Sequence, residues 1–366
     1  MKLSSAPLPD LPPAALLRKA LATLRAVHRA AQRMTPGELA LWDSLFGVAR
    51  TELIGLAARL SLADRVGERA MSADELADQC ECDGESLGRA MRAMASFGLF
   101  SLRDDGLFEH SSMSRALMKD APRSMRDGVL YFTSDSNLRA WRALEHSVRT
   151  GESAFDHAHG VSVWDWFSSH QDELDTFASA MGRATALEAP LLSTLYPFDE
   201  LSRLCDVGGG SGTLLSEILV RHRSLRGVLC DAPAVLEQAR ALLSARAVLD
   251  RVELCPGSFF DRVPQGCDGY VMKSVLHDWD DQRSLEILRN VRGAMREGAR
   301  LILFDAVLDP IERRVEATMS DLQMLVVCAG RERTLAQFRA LLEQTGFTMG
   351  RLSHGAHHSM IEGIAT

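Results

Sequence analysis

What this chain lacks narrows it first. It has no C-x-x-C pair, and its seven cysteines are scattered and odd in number. That does not suit a disulfide framework and predicts reduced thiols. Cys80 and Cys82 stand without the further ligands a zinc site would need. No apolar run approaches the roughly 18 residues of a membrane span, and Met1–Leu17 has no continuous apolar centre of the signal-peptide kind. A cytoplasmic protein without a membrane partner is expected. Positive charge is in deficit: 41 Lys and Arg against 49 Asp and Glu, a formal net charge of −8, which argues against general affinity for nucleic acid. The 366 residues, 46% hydrophobic and 25% charged, suit a globular protein of roughly two domains at about 150 residues each.

One more absence sits inside the most informative stretch. The apolar run Leu201–Val207 carries Asp206 near its end and breaks into Gly208-Gly209-Gly210-Ser211-Gly212. Leu214, Leu215, Ile218 and Leu219 then fall on one helical face. Strand, glycine turn, helix opens a nucleotide-binding α/β sheet, and glycine lets the backbone approach a ligand and visit positive φ. The third glycine of a dinucleotide fingerprint would fall at Thr213, so the motif is G-x-G-x-G with an acid before it. About 20 residues on, Val228-Leu229-Cys230 ends in Asp231, where a carboxylate can hold ribose hydroxyls; a helix cap before Ala232-Pro233 is the plain alternative.

The strand–helix alternation continues through Val252–Cys255, Gly269–Lys273 and Ala299–Phe304, predicting a doubly wound α/β sheet. The loop Pro256–Asp261 falls at the carboxyl end of that sheet, where such folds bind ligands. His277 follows the fourth strand on the same side. An imidazole near pKa 6.5 can take the proton of a phenol near 10. The bland reading is that His277 or Asp278 caps the next helix.

The N-terminal half reads differently. Residues 1–13 are Pro- and Ser-rich and are expected to form a loose tail. Helical patterns follow over Ala14–Arg33 and Leu39–Phe46, with Thr35-Pro36-Gly37-Glu38 as a cap, and Thr51–Leu62 is apolar nearly all round. Such helices form either a dimer interface or an internal bundle. Ser72-Ala73-Asp74-Glu75 is a capping box. With the helix Ser86–Phe97 and the hairpin Gly98–Glu109 it makes a winged-helix pattern. Arg89 and Arg92 alone, with an acidic hairpin tip, make a poor DNA-reading surface. From Arg126 to Tyr196 helices carry many aromatics, Trp141 among them; core or a pocket for a flat ring both fit.

Together, Asp206–Gly212, Asp231-Ala232-Pro233, Gly257-Ser258-Phe259-Phe260, Lys273–Asp281 and Gly330-Arg331-Glu332-Arg333-Thr334 resemble the S-adenosylmethionine (SAM)-dependent O-methyltransferases of the plant caffeic-acid type, with their bacterial natural-product branch. The resemblance covers the chain from about Leu39. It implies an N-terminal helical, winged-helix-like dimerisation domain (14–190), a C-terminal Rossmann-like SAM domain (191–366), and a homodimer. It implies no metal and a hydroxyl-bearing aromatic or polyketide-type acceptor. By position, Asp206, Gly208 and Gly210 would surround the methionine part of SAM, Asp231 the ribose, Ser258 and Phe259 the adenine, and Lys273 the carboxylate end. Ser258 stands where the family usually has an acid. His277 would be the base, oriented by Glu332 and by Asp305, which is a glutamate in plant members. Asp321, Met324 and Cys328 would line the acceptor pocket beside Trp141 and Met181. N- or C-methylation, or a SAM-assisted non-methylating reaction, would leave similar motifs, and a winged-helix regulator is the remaining alternative.

Overall fold

The structure is a computed structural model that describes residues 14–309 and 315–366; the expected tail at 1–13 lies outside the described residues. The chain divides into two compact units. The first gathers Leu24–Leu138 and Gln171–Ala184, the second Arg139–His170 and Thr185–Thr366.

In the first unit, helices Gly37–Leu45, Gly47–Arg59, Leu62–Val66, Ala73–Cys80 and Gly84–Ser96 lead into a short antiparallel hairpin, β1 (Phe100–Leu102) and β2 (Phe108–His110). The capping box forms: Ser72 Oγ accepts the Glu75 N–H at 3.2 Å and Glu75 accepts the Ser72 N–H at 2.9 Å. Both orphan donors are thereby satisfied. Leu76, Leu87, Met91, Met94, Phe100 and Phe108 are fully buried in one core. The expected cap at Thr35 does not form. Its hydroxyl bonds back to Ala31 O, and Pro36 occupies the cap position without a side-chain bond.

The second unit holds a seven-stranded sheet. β3 (Arg203–Val207), β4 (Arg226–Asp231), β5 (Val252–Pro256), β6 (Gly269–Lys273) and β7 (Arg300–Asp305) are mutually parallel. A short parallel pair, β8 (Val307–Leu308) and β9 (Arg333–Thr334), stands apart, while β10 (Phe347–His354) pairs antiparallel with β11 (Ser359–Ala365), which pairs antiparallel with β7. The order is β10-β11-β7-β6-β3-β4-β5. The chain changes direction across the sheet at β3, and the carboxyl ends beside it form the crevice where such folds bind ligands. Parallel strands covered on both faces are apolar throughout, as Leu204, Val228, Val271 and Leu301 show by full burial. The antiparallel hairpin at the C-terminus was not foreseen from the sequence. Its second strand starts at Ser359, which pairs with Asp305, so the hairpin's turn lies at the same edge as the ends of β6 and β7.

Candidate active site

The glycine turn after β3 is shaped by close approach. A Cβ on Gly209 would lie 2.5 Å from the Asp206 carboxyl carbon and from a Leu229 methyl, and one on Gly208 would lie 3.0 Å from Val275 and 3.3 Å from Phe259. Gly208, Gly210 and Gly212 all adopt positive φ. Asp231 reaches across from β4: Oδ2 accepts the Gly210 N–H at 2.8 Å and Oδ1 the Ala232 N–H at 2.7 Å. It therefore ties its own loop to the glycine turn rather than capping the next helix, whose cap position is Ala232. Asp206 is buried with Oδ2 unpartnered among the described residues. Burial and the nearby Asp231 push its carboxyl up to about 7. An orphaned acceptor beside a turn that no side chain can fill is a cradle for a polar ligand.

Phe259 and Phe260 sit on the loop after β5, held by Asn290, whose amide donates to both of their carbonyls at 3.0 and 2.6 Å. Ser258 Oγ accepts the Phe260 N–H at 3.1 Å, so its hydroxyl shapes this loop. Trp279 meets Phe260 edge-on at 4.7 Å between centroids and stacks near Trp164 at 5.7 Å. These rings form an aromatic shelf beside the glycine turn, and Trp279 and Asn290 were not singled out from the sequence.

His277 lies in a one-turn helix, Leu276–Asp278, just past β6. Neither His277 nor Asp278 caps the following helix; Asp280 does, accepting the Arg283 N–H at 2.8 Å. His277 instead meets Glu332, Nδ1 to Oε1 at 3.0 Å. A carboxylate only accepts, so Nδ1 carries the proton toward Glu332. Ser320 donates to the same Glu332 oxygen at 2.8 Å, and Asp321 Oδ1 accepts the Glu332 N–H at 2.8 Å. The two segments meet backbone to backbone: Arg331 N–H donates to His277 O at 2.9 Å, and a Cβ on Gly330 would sit 2.1 Å from that oxygen. Arg333, fully buried, ties the loop from behind through Leu276 O, Trp279 O, Ser284 and Asp281.

Acids crowd this imidazole. Asp278 Oδ1 lies 3.5 Å from Nε2, and ligating atoms of His277, Asp305 and Glu332 fall within 4.8 Å of one another. Both Asp305 oxygens and Glu332 Oε2 are buried without partners among the described residues. Burial disfavours the imidazolium, but Asp278, Glu332 and Asp305 outweigh it and raise His277 to about 9. Burial lifts Asp305 to about 7 and Asp278 to about 6. Such a trio could ligate a divalent cation. The positive charges of His277 and Lys273 already face these acids, since Lys273 feels Glu188, Asp305, Asp206 and Glu332 together.

The structure thus brings His277, Glu332, Asp305, Asp206, Asp231 and Lys273 to one edge of the sheet. Trp141 donates from its indole to Gln323 at 2.6 Å, on the helix Val315–Cys328 that also carries Met324 and Cys328. Asp321 of that helix is engaged with Glu332, and Met181 belongs to the first unit.

Comparison with known proteins decides what this edge belongs to. Residues 141–348, more than half of the chain, match the family model of the O-methyltransferase domain, and residues 42–120 match the O-methyltransferase dimerisation domain. The chain belongs to the O-methyltransferase family. It is 36% identical to the mitomycin biosynthesis 6-O-methyltransferase of Streptomyces lavendulae over 84% of this chain and 88% of that one. It is also 36% identical to the 8-amino-8-demethylriboflavin N,N-dimethyltransferase of Streptomyces davaonensis, over 79% and 84% of the two chains. A solved relative, the neocarzinostatin-pathway O-methyltransferase NcsB1 in complex with SAM and 2-hydroxy-5-methyl naphthoic acid, superimposes with a TM-score of 0.76 at 29% identity, covering 86% of this chain and 96% of that one. This protein is a SAM-dependent O-methyltransferase of α/β fold with a dimerisation domain. No helix among the described residues is long and apolar enough to cross a membrane.

Proposed function

We propose that this O-methyltransferase methylates a phenolic hydroxyl of an aromatic small molecule and that His277 accepts the phenol proton. The observation that carries this reading is the buried His277–Glu332 pair, 3.0 Å apart at the carboxyl edge of the sheet. SAM supplies an already activated methyl, so the chain's own work is to hold two partners in line and to receive a proton. Glu332 fixes the Nδ1–H tautomer, which leaves Nε2 as the acceptor. The surrounding acids raise the imidazole to about 9, and a phenol titrates near 10. The base acts only in its deprotonated form, so turnover should rise with pH toward the imidazole's value.

For the cofactor, we assign Asp206, Gly208 and Gly210 to the methionine portion, Asp231 to the ribose, Phe259 and the Ser258 loop to adenine, and Lys273 to the carboxylate. The orphaned Asp206 oxygen and the glycine turn support this. For the acceptor we assign Trp141, Met324 and Cys328, with Asp321 supporting Glu332. Asp305 acts on His277 through charge, since it makes no hydrogen bond to the ring. A homodimer through the first unit is supported by its dimerisation domain and by exposed Leu39, Leu41, Trp42, Leu45 and Val48; a monomer mass by light scattering at micromolar concentration would refute it. N-methylation is the second reading, favoured by the riboflavin-type relative.

The deciding experiment is mass spectrometry of products from SAM with a panel of phenols and anilines, run beside His277→Ala. A methyl ether that disappears in the variant while S-adenosylhomocysteine still binds is expected. Undiminished turnover in the variant overturns the base assignment, and methylated amines alone overturn the hydroxyl acceptor.

A further inference from the structure

A second imidazole–carboxylate pair lies at the same sheet edge and has no part in the proton transfer above. His358 precedes β11 and is buried; its Nδ1 meets Glu188 Oε2 at 2.5 Å, and its Nε2 meets Ser274 Oγ at 2.9 Å. Lys273 Nζ donates to that same hydroxyl at 3.2 Å. An ammonium can only donate, so Ser274 Oγ accepts from Lys273 and passes its own proton toward His358 Nε2. That nitrogen must then be bare, Nδ1 carries the hydrogen, and Glu188 accepts it. The four groups make one directional relay from a cation to an anion.

The fold builds this relay deliberately. Ser274 adopts a left-handed φ of 53°, unusual for a residue with a Cβ, with its N–H bonded to Phe304 O at 3.0 Å. That turn places its hydroxyl beside Lys273. His358 is presented by a tight turn in which the Gly355 N–H bonds to His358 O at 3.1 Å, and a Cβ at 355 would sit 2.2 Å from that oxygen. Burial and the Lys273 charge hold His358 down near 4, so the ring is neutral, as the relay's direction requires. Burial works against an ionised Glu188, but His358 and Lys273 outweigh it and keep the carboxyl near 2. Glu188 remains 28% exposed through its side chain, and the relay uses one of its two oxygens. Lys273 uses one of three N–H groups.

A fixed cation and a fixed anion, tied through a neutral hydroxyl–imidazole bridge, are complementary to a zwitterion. We propose that Glu188 and Lys273 form a split cradle for an α-amino acid group, the methionine end of the cofactor, in which Glu188 takes the α-ammonium while Ser274 and His358 hold the two charges at their spacing. This rests on the reading that Lys273 meets the cofactor carboxylate. It adds three residues, Glu188, Ser274 and His358, to the binding site, and it gives the hairpin β10–β11 a role in cofactor selection.

The test is calorimetric and needs no turnover. S-adenosylhomocysteine and its analogue lacking only the α-amino group are titrated into the wild-type protein and into Glu188→Gln. A charge-assisted hydrogen bond to the ammonium makes the wild type prefer S-adenosylhomocysteine by about 10- to 100-fold. In Glu188→Gln that preference should collapse to within about 3-fold, with the analogue's affinity unchanged. His358→Gln should give a partial collapse. Equal weakening of both ligands, or a preserved preference, overturns the proposal. If the wild type binds both ligands equally, Glu188 does not read the ammonium; if it binds neither, the cofactor assignment itself fails.

Discussion

Two imidazoles in this protein, one buried and one partly buried, each hydrogen-bond through Nδ1 to a glutamate, and they are driven in opposite directions. His277, paired with Glu332, is raised to about 9; His358, paired with Glu188, is lowered to about 4. The partner type is the same, and neither ring is freely exposed. What differs is the third neighbour: Asp278 and Asp305 beside His277, Lys273 beside His358. Burial penalises both imidazoliums, and only where additional acids stand by is the penalty overcome. A His–Glu hydrogen bond therefore says little about whether the histidine is a base. The local net charge decides it. At His277 that charge favours the imidazolium, and at His358 it leaves a neutral bridge.

The largest effect is expected from removing the charge of Glu332. The wild-type kcat/KM should climb with pH toward an apparent pKa near 9, because the base works only when deprotonated and the free imidazole accumulates as pH rises through that value. Glu332→Gln keeps the shape but removes one of the acids that raise His277. Turnover should fall on the order of 100-fold, and the rising limb should move about one unit to lower pH. A profile that stays in place would mean Glu332 is not what charges this site. A smaller and complementary effect tests the other imidazole. Lys273→Met removes the cation beside His358, so the His358 ring titration followed by NMR should rise by about one unit or more from its low value, while burial still keeps it below an exposed histidine. No movement would assign the depression to burial alone and dissolve the contrast between the pairs.

Much of this was legible in one dimension. The glycine turn, the acids Asp206 and Asp231 at strand ends, and His277 just past β6 are local patterns, each tied to the geometry of a strand meeting a turn. The resemblance to one methyltransferase family followed from their order. What stayed hidden was every contact joining distant segments. In the sequence Asp231 reads as a ribose ligand or a cap; the fold removes the cap, because its carboxylate is bonded to the Gly210 and Ala232 N–H groups. Asn290, Ser320 and Arg333 are unremarkable letters whose importance comes from carbonyls and carboxylates far along the chain. His358 and Glu188, 170 residues apart, carry no motif at all, and the hairpin bearing His358 has too little alternation to announce itself.

The amino-acid sequence by itself determined the alternation of strands and helices, the glycine turn, the Ser72 capping box and the family, because these depend on periodicity, on φ preferences and on spacing within a few residues. Only the tertiary structure decided which imidazole is raised and which is lowered. A pKa is set by the sum of charges and lost solvent within a few ångströms, and that sum is assembled from residues the chain brings together only by folding.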